Sequence, residues 1–185
     1  MRKITIIETG IKDLLVIEPK LFFDSRGYFF ESYNKKDFEE LGLHYNFVQD
    51  NQSHSKYGVV RGLHMQKGEF AQAKLVRVLF GKILDVAVAA RKHSPTFGQY
   101  YSMELSAENK KQFYIPKGFL HGFSVLSDDA TVLYKCDAFY DKASEDGVNP
   151  LDAELNIDWQ IPQELMIISE KDKNAKSFSE LTLCS

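Results

Sequence analysis

The feature that most constrains the fold is a succession of short β-prone runs, each closed by turn residues within a few positions. The stretch Phe22–Tyr33 holds Asp24-Ser25-Arg26-Gly27 as a turn between aromatic arms. Lys74–Leu79 and Ile83–Val88 flank Gly81-Lys82, the pattern of a hairpin. Tyr100–Leu105, Gln112–Ile115, Gly122–Leu126 and Thr131–Cys136 are further strand candidates. Helical signals are scarce. Lys35–Leu41 is the clearest, with Asn34 as N-cap and Gly42 as stop, and a second, weaker helix falls around Gln163–Ile168 or beyond. Many short strands with few helices predict an all-β sandwich or barrel, a jelly roll in particular. No repeat, low-complexity tract or linker interrupts the chain, so residues 1–185 are expected to form a single domain.

Composition excludes several function classes. A formal net charge of −3 gives no electrostatic footprint for nucleic acid. Two cysteines, Cys136 and Cys184, make no disulfide framework and suit a reducing compartment. The opening Met1-Arg2-Lys3-Ile4 briefly resembles a signal peptide, but Glu8, Lys12 and Asp13 break any apolar core, and no stretch reaches transmembrane length. The expectation is a soluble, cytoplasmic protein with no membrane partner.

Two segments carry polar residues that a sheet does not require. Gly58–Gln66 is mostly apolar yet contains Arg61 and His64. Strict alternation puts His64 on one face with Gly62 and Gln66, and Arg61 on the other, unless a bulge intervenes. Tyr114–Phe123 contains a Pro-x-Gly-x-x-His pattern, a turn directly before a histidine that opens a strand. Taken alone, a strand histidine is more often structural than catalytic.

Together the two segments resemble the paired motifs of the cupin superfamily, whose fold is a jelly-roll barrel with a few short helices. Metal-binding cupins use a His-x-His pair in the first motif. Here it reads His64-Met65-Gln66, and Gln is a poor ligand for a transition metal. No metal and no cofactor are expected. A narrower match begins at Asp24-Ser25-Arg26-Gly27-Tyr28-Phe29-Phe30-Glu31 and continues through Phe47–Ser53, Gly58–Gln66, Gln72–Val78, Asp85–Val88, Ser94–Gly98, Tyr114–Phe123, Tyr134-Lys135-Cys136 and Ser169–Asp172. These blocks run in the order found in the dTDP-4-dehydrorhamnose 3,5-epimerases, which the chain resembles over nearly its whole length.

The resemblance implies a substrate: a dTDP-linked 4-keto-6-deoxyhexose whose ketone acidifies the C3 and C5 protons. It makes His64 the base, paired with Asp172. It makes Tyr134 the proton donor on the opposite face, a role that suits a phenol, which keeps its proton near neutral pH. Lys74 becomes the enolate stabiliser, and His121 a hydrogen-bond donor to sugar or ketone. Arg26 and Arg61 would grip the diphosphate. Tyr140 would stack on thymine, with amide hydrogen bonds from Gln49 and Asn51 on either side of the Asp50 backbone. Phe29, Glu31, Glu145 and Lys171 match further ligand-contacting positions. The family is dimeric, and the strand with Arg26, Phe29 and Glu31 would reach the neighbouring subunit's site, so a homodimer is expected.

Residue type alone supports blander alternatives: Asp172 in a solvated charge run, Tyr134 and Tyr140 as sheet-packing aromatics, His121 capping its turn, and Glu31, Glu145 and Lys171 as surface charges. Met65 stands where an aromatic is usual, the Lys67–Ala71 loop lacks a common proline, and Asn149-Pro150-Leu151-Asp152 replaces a Trp-Asp-Asp-Pro run. These departures remove none of the proposed catalytic groups but leave open whether both C3 and C5 or only C3 is epimerised. The readings to compare are a 3,5-epimerase, a 3-epimerase or ketoisomerase on the same class of sugar, and a non-catalytic sugar-nucleotide-binding cupin.

Overall fold

A computed structural model describes residues 4–181, so Met1–Lys3 and Cys184 lie outside the described residues. Fourteen strands and two short α-helices are present among them. One sheet runs β1 (Ile4–Glu8), β2 (Leu15–Pro19), β10 (Gln112–Ile115), β7 (Lys74–Phe80), β12 (Asp129–Cys136), β5 (Gln49–Lys56). The other runs β13 (Glu145–Gly147), β6 (Val59–Gln66), β11 (Phe119–Val125), β8 (Lys82–Ala89), β9 (Tyr100–Ser106), with the two-residue β14 (Ile167–Ile168) parallel to β6. The two sheets face each other in the jelly-roll manner expected for a cupin-type barrel. A separate hairpin, β3 (Phe22–Asp24) and β4 (Gly27–Phe29), projects with Phe22, Phe23, Tyr28 and Phe29 all exposed.

Period-two alternation sorts the side chains into three layers. Val76 and Val78 of β7, Ala87 and Ala89 of β8, Phe119 and Phe123 of β11 and Val132 of β12 fill the space between the sheets. Leu84, Val86, Val88 and Leu120 point the other way, beneath a C-terminal cover of Leu155, Trp159, Phe178 and Leu181. That second apolar face is why β8 and β11 read as continuous hydrophobic runs. On the outer side of the first sheet, Ile17, Leu75 and Tyr114 pack against Phe38 of α1 (Lys35–Glu40). The helix starts where Asn34 accepts a hydrogen bond from the Lys36 N–H, and Gly42 follows it at φ 81°.

Two local expectations need correction. Gly81-Lys82 is not a hairpin: β7 pairs with β10 and β12, whereas β8 pairs with β11 and β9 in the other sheet. Gly81, at φ 74°, carries the chain across from one sheet to the other, and a Cβ there would collide with the Asp129 carbonyl oxygen. The weaker C-terminal helix does form, just beyond Ile168, as α2 at Glu170–Lys173, after a 3₁₀ turn at Gln163–Leu165 and the strand β14. β11 also begins before His121, at Phe119.

Candidate active site

At one end of the barrel interior the inward positions turn from apolar to polar. Gln49 and Asn51 of β5, Arg61 and His64 of β6, Lys74 of β7, His121 of β11 and Tyr134 of β12 border two adjoining cavities of about 480 and 130 Å³. Arg61 and His64 share this face because β6 carries one extra residue. His64 stands opposite His121 and Arg61 opposite Phe123, three steps on one strand against two on the other. The bulge is possible because Gly62, at φ 119°, lies so close to Gly122 that a Cβ would meet its Cα at 2.6 Å.

His64 Nε2 is 2.6 Å from Asp172 Oδ1, and the Gly62 N–H donates to Asp172 Oδ2 at 3.4 Å. The carboxylate is delivered by α2, whose N-cap Ser169 accepts from the Asp172 N–H. That places Asp172 inward at 5 % exposure while Glu170 and Lys173 pair with each other outside. The Lys/Asp run is therefore a solvated face with one member turned in. The contact fixes the orientation of the ring and leaves Nδ1 of His64 without a protein partner among the described residues.

A second pair lies beside it. His121 Nε2 is 2.6 Å from Asp85 Oδ1, both residues buried, and Asp85 Oδ2 has no hydrogen-bond partner among the described residues. Sequence reasoning missed Asp85 as a site residue, although the signal was there: a lone carboxylate at an inward position of the apolar run Ile83–Val88.

Lys74 heads β7 between the two cavities, its Nζ 5.9 Å from the Tyr134 ring centroid, and it makes no ion pair among the described residues. Burial lowers its pKa, only partly opposed by Cys136, Asp85 and Glu145. Burial raises the pKa of Tyr134, against a smaller opposing effect of Arg61, so the phenol holds its proton through neutral pH. The site thus combines a carboxylate-backed imidazole, a retained phenolic proton and a lysine amine with no ion-pair partner among the described residues.

At the mouth, the Tyr140 hydroxyl donates to Glu145 Oε2 at 3.3 Å, and Lys171 Nζ meets the same oxygen at 2.7 Å. The amides expected to read a base are engaged within the protein. Gln49 Nε2 donates to Asn51 Oδ1, and Asn51 Nδ2 to Cys136 Sγ. Asp50 points to the outer face, where Lys135 holds it at 3.0 Å. Arg26, Phe29 and Glu31 are not brought to this cleft within one chain: Arg26 pairs with Asp24 at the tip of the exposed hairpin, and Glu31 accepts from Asn34. A larger cavity of about 600 Å³ lies on the Met65 side of β6, but its Arg91 and Lys67 are taken up by Asp13 and Asp146. Volume does not pick out the reactive site; its chemistry does.

Fold and site together define a cupin-type barrel enzyme equipped for proton transfer. A family model described as dTDP-4-dehydrorhamnose 3,5-epimerase matches residues 8–180. The chain is 51 % identical over 174 residues to the dTDP-4-dehydrorhamnose 3,5-epimerase of Shigella flexneri, covering 94 % of this chain and 95 % of that one. It superposes on the crystal structure of the enzyme of that name from Elizabethkingia anophelis with a TM-score of 0.94 at 58 % identity, covering 97 % and 98 % of the two chains. A dTDP-6-deoxy-D-glucose-3,5-epimerase from Legionella pneumophila, in complex with dTDP-4-keto-L-rhamnose, matches with a TM-score of 0.92 at 49 % identity, covering 96 % and 94 %. The chain belongs to the dTDP-4-dehydrorhamnose 3,5-epimerase family.

Proposed function

We propose that this chain converts dTDP-4-dehydro-6-deoxy-D-glucose to dTDP-4-dehydro-L-rhamnose by inverting C3 and C5 beside the 4-keto group. The observation that carries the reading is the His64–Asp172 pair, 2.6 Å apart, on the same cleft as the buried phenol of Tyr134. In this scheme Nδ1 of His64 removes the proton from the carbon next to the ketone, and Asp172 stabilises the imidazolium. The electron pair moves onto the ketone oxygen as an enolate, which Lys74 stabilises with His121 as hydrogen-bond donor. Tyr134 then returns a proton from the opposite face, which inverts the carbon. Nothing but protons is exchanged, so the scheme calls on neither metal nor redox cofactor.

Arg61 and Lys171, both at the cleft, supply cations for the diphosphate, and Tyr140 supplies the face for the base. Arg26, Phe29 and Glu31 complete the site of a second subunit in a homodimer. The exposed aromatics of their hairpin support this, because such a patch on a lone subunit would be left facing water. The free, buried thiol of Cys136 fits the cytoplasm, where we place the enzyme. The test is to incubate the protein with dTDP-4-dehydro-6-deoxy-D-glucose and read the product's configuration by NMR. Inversion at C3 and C5 supports the reading; inversion at C3 alone favours a 3-epimerase, and unchanged substrate refutes both.

A further inference from the structure

The loop that carries Tyr140 is fastened, one peptide group after another, by glutamine side chains. Gln72 Nε2 donates to the Ala138 carbonyl at 2.8 Å and Gln66 Nε2 to the Phe139 carbonyl at 3.1 Å. The Tyr140 N–H donates to Gln49 Oε1 at 3.0 Å and the Asp141 N–H to Gln66 Oε1 at 2.7 Å. The remaining Gln66 donor goes to the Phe70 carbonyl at 2.7 Å. Gln66 is 5 % exposed, and both ends of its amide are in use. Donating to residue 139 while accepting from residue 141 requires a donor and an acceptor on one short planar group. A carboxylate lacks the donor and an ammonium lacks the acceptor.

These bonds bracket Tyr140 on both sides, yet the residue is 55 % exposed at the rim of the smaller cavity, which Gln66 and Gln72 also line. An aromatic on a loose loop would have to be ordered when a base stacks on it, and that ordering subtracts from affinity. We propose that Gln66 and Gln72 are positioning residues for nucleotide binding: they hold segment 138–141 so that the Tyr140 ring is set as a stacking face before the ligand arrives. The identity of the ligand as a dTDP-sugar rests on the epimerase reading above.

The test uses the intact protein and its Q66M, Q72M, Y140A and Q66M/Y140A variants. It combines calorimetric titration with dTDP, steady-state kinetics and amide hydrogen exchange. Q66M is expected to speed exchange at the Tyr140 and Asp141 amides of the free protein. It should weaken dTDP binding about tenfold, the scale of a base–aromatic stack, and raise KM more than it lowers kcat. Q72M, which removes one bond instead of three, moves the same quantities less and remains informative if Q66M folds poorly. In the Y140A background Q66M should cost less than about twofold, because its effect runs through the ring. The proposal is overturned if Q66M leaves exchange and affinity unchanged, if its loss is the same with and without the ring, or if kcat falls at unchanged affinity. A wild-type protein that does not bind dTDP sinks the epimerase reading instead, while amide exchange still decides whether Gln66 fixes the loop.

Discussion

Replacing Lys74 with Met should abolish most activity and make the protein more stable. The side chain is half-buried between the two cavities, makes no ion pair among the described residues, and has its pKa lowered from the ordinary 10.5 by burial. The fold therefore disfavours the charged amine relative to water, and the folded state bears that cost whenever Lys74 is protonated. An amine that holds its proton tenfold less readily than in water costs about 1.4 kcal/mol. Each kcal/mol recovered raises Tm by about 2–4 °C in a domain of this size. The sign follows from the same shift. Wild-type stability gains from rising pH as Lys74 loses its proton, so the advantage of K74M is full below the lowered pKa and shrinks as the pH rises to about 10.5. Activity moves the other way, because loss of a charge at a developing oxyanion costs about 2.7–4 kcal/mol, a fall of roughly 10²–10³ in kcat. Thermal melts of both proteins at several pH values, with kcat at pH 7, check the two halves together. A K74M protein less stable at pH 7, or a Tm difference that does not change with pH, would refute the reasoning.

Asp172→Asn keeps the shape of the side chain but removes the charge behind His64 at 2.6 Å; kcat should fall by about 10²–10⁴ with little change in dTDP affinity, and loss of dTDP affinity of equal size would assign Asp172 to binding. In the proposed homodimer, Phe23→Ser with Phe29→Ser, at 75 % and 67 % exposure on the hairpin, should shift the protein from dimer to monomer in sedimentation velocity, with activity lost in parallel and Tm lowered as the stabilisation from association is lost. A double variant that stays dimeric removes the hairpin from the interface.

Features set by local chemistry were legible in the sequence, and those set by pairing across the barrel were not. The α1 boundaries follow from Asn34 and Gly42, which act on their own neighbours. Gly81-Lys82 misled because a glycine turn between two apolar runs looks the same whether the second strand folds back or crosses to another sheet. Arg61 and His64 could not be put on one face without the bulge, which depends on Gly122 of another strand approaching Gly62. The inward turn of Asp172 depends on Ser169 capping a single helical turn, a signal indistinguishable locally from a surface charge run. Asp85 was readable as a carboxylate without reason in an apolar strand, but its partner His121 lies 36 residues away. The glutamine bonds around Tyr140 join three separate segments and have no local pattern at all.

In the proposed reaction one imidazole–carboxylate pair and one phenol move protons at two carbons of a keto sugar. Its most direct test is solvent deuterium incorporation into dTDP-4-dehydro-6-deoxy-D-glucose, followed by NMR at C3 and C5 for the wild type and His64→Asn. Deuterium is expected at both carbons with the wild type and at neither with His64→Asn. Exchange that persists at both carbons without the imidazole would contradict it.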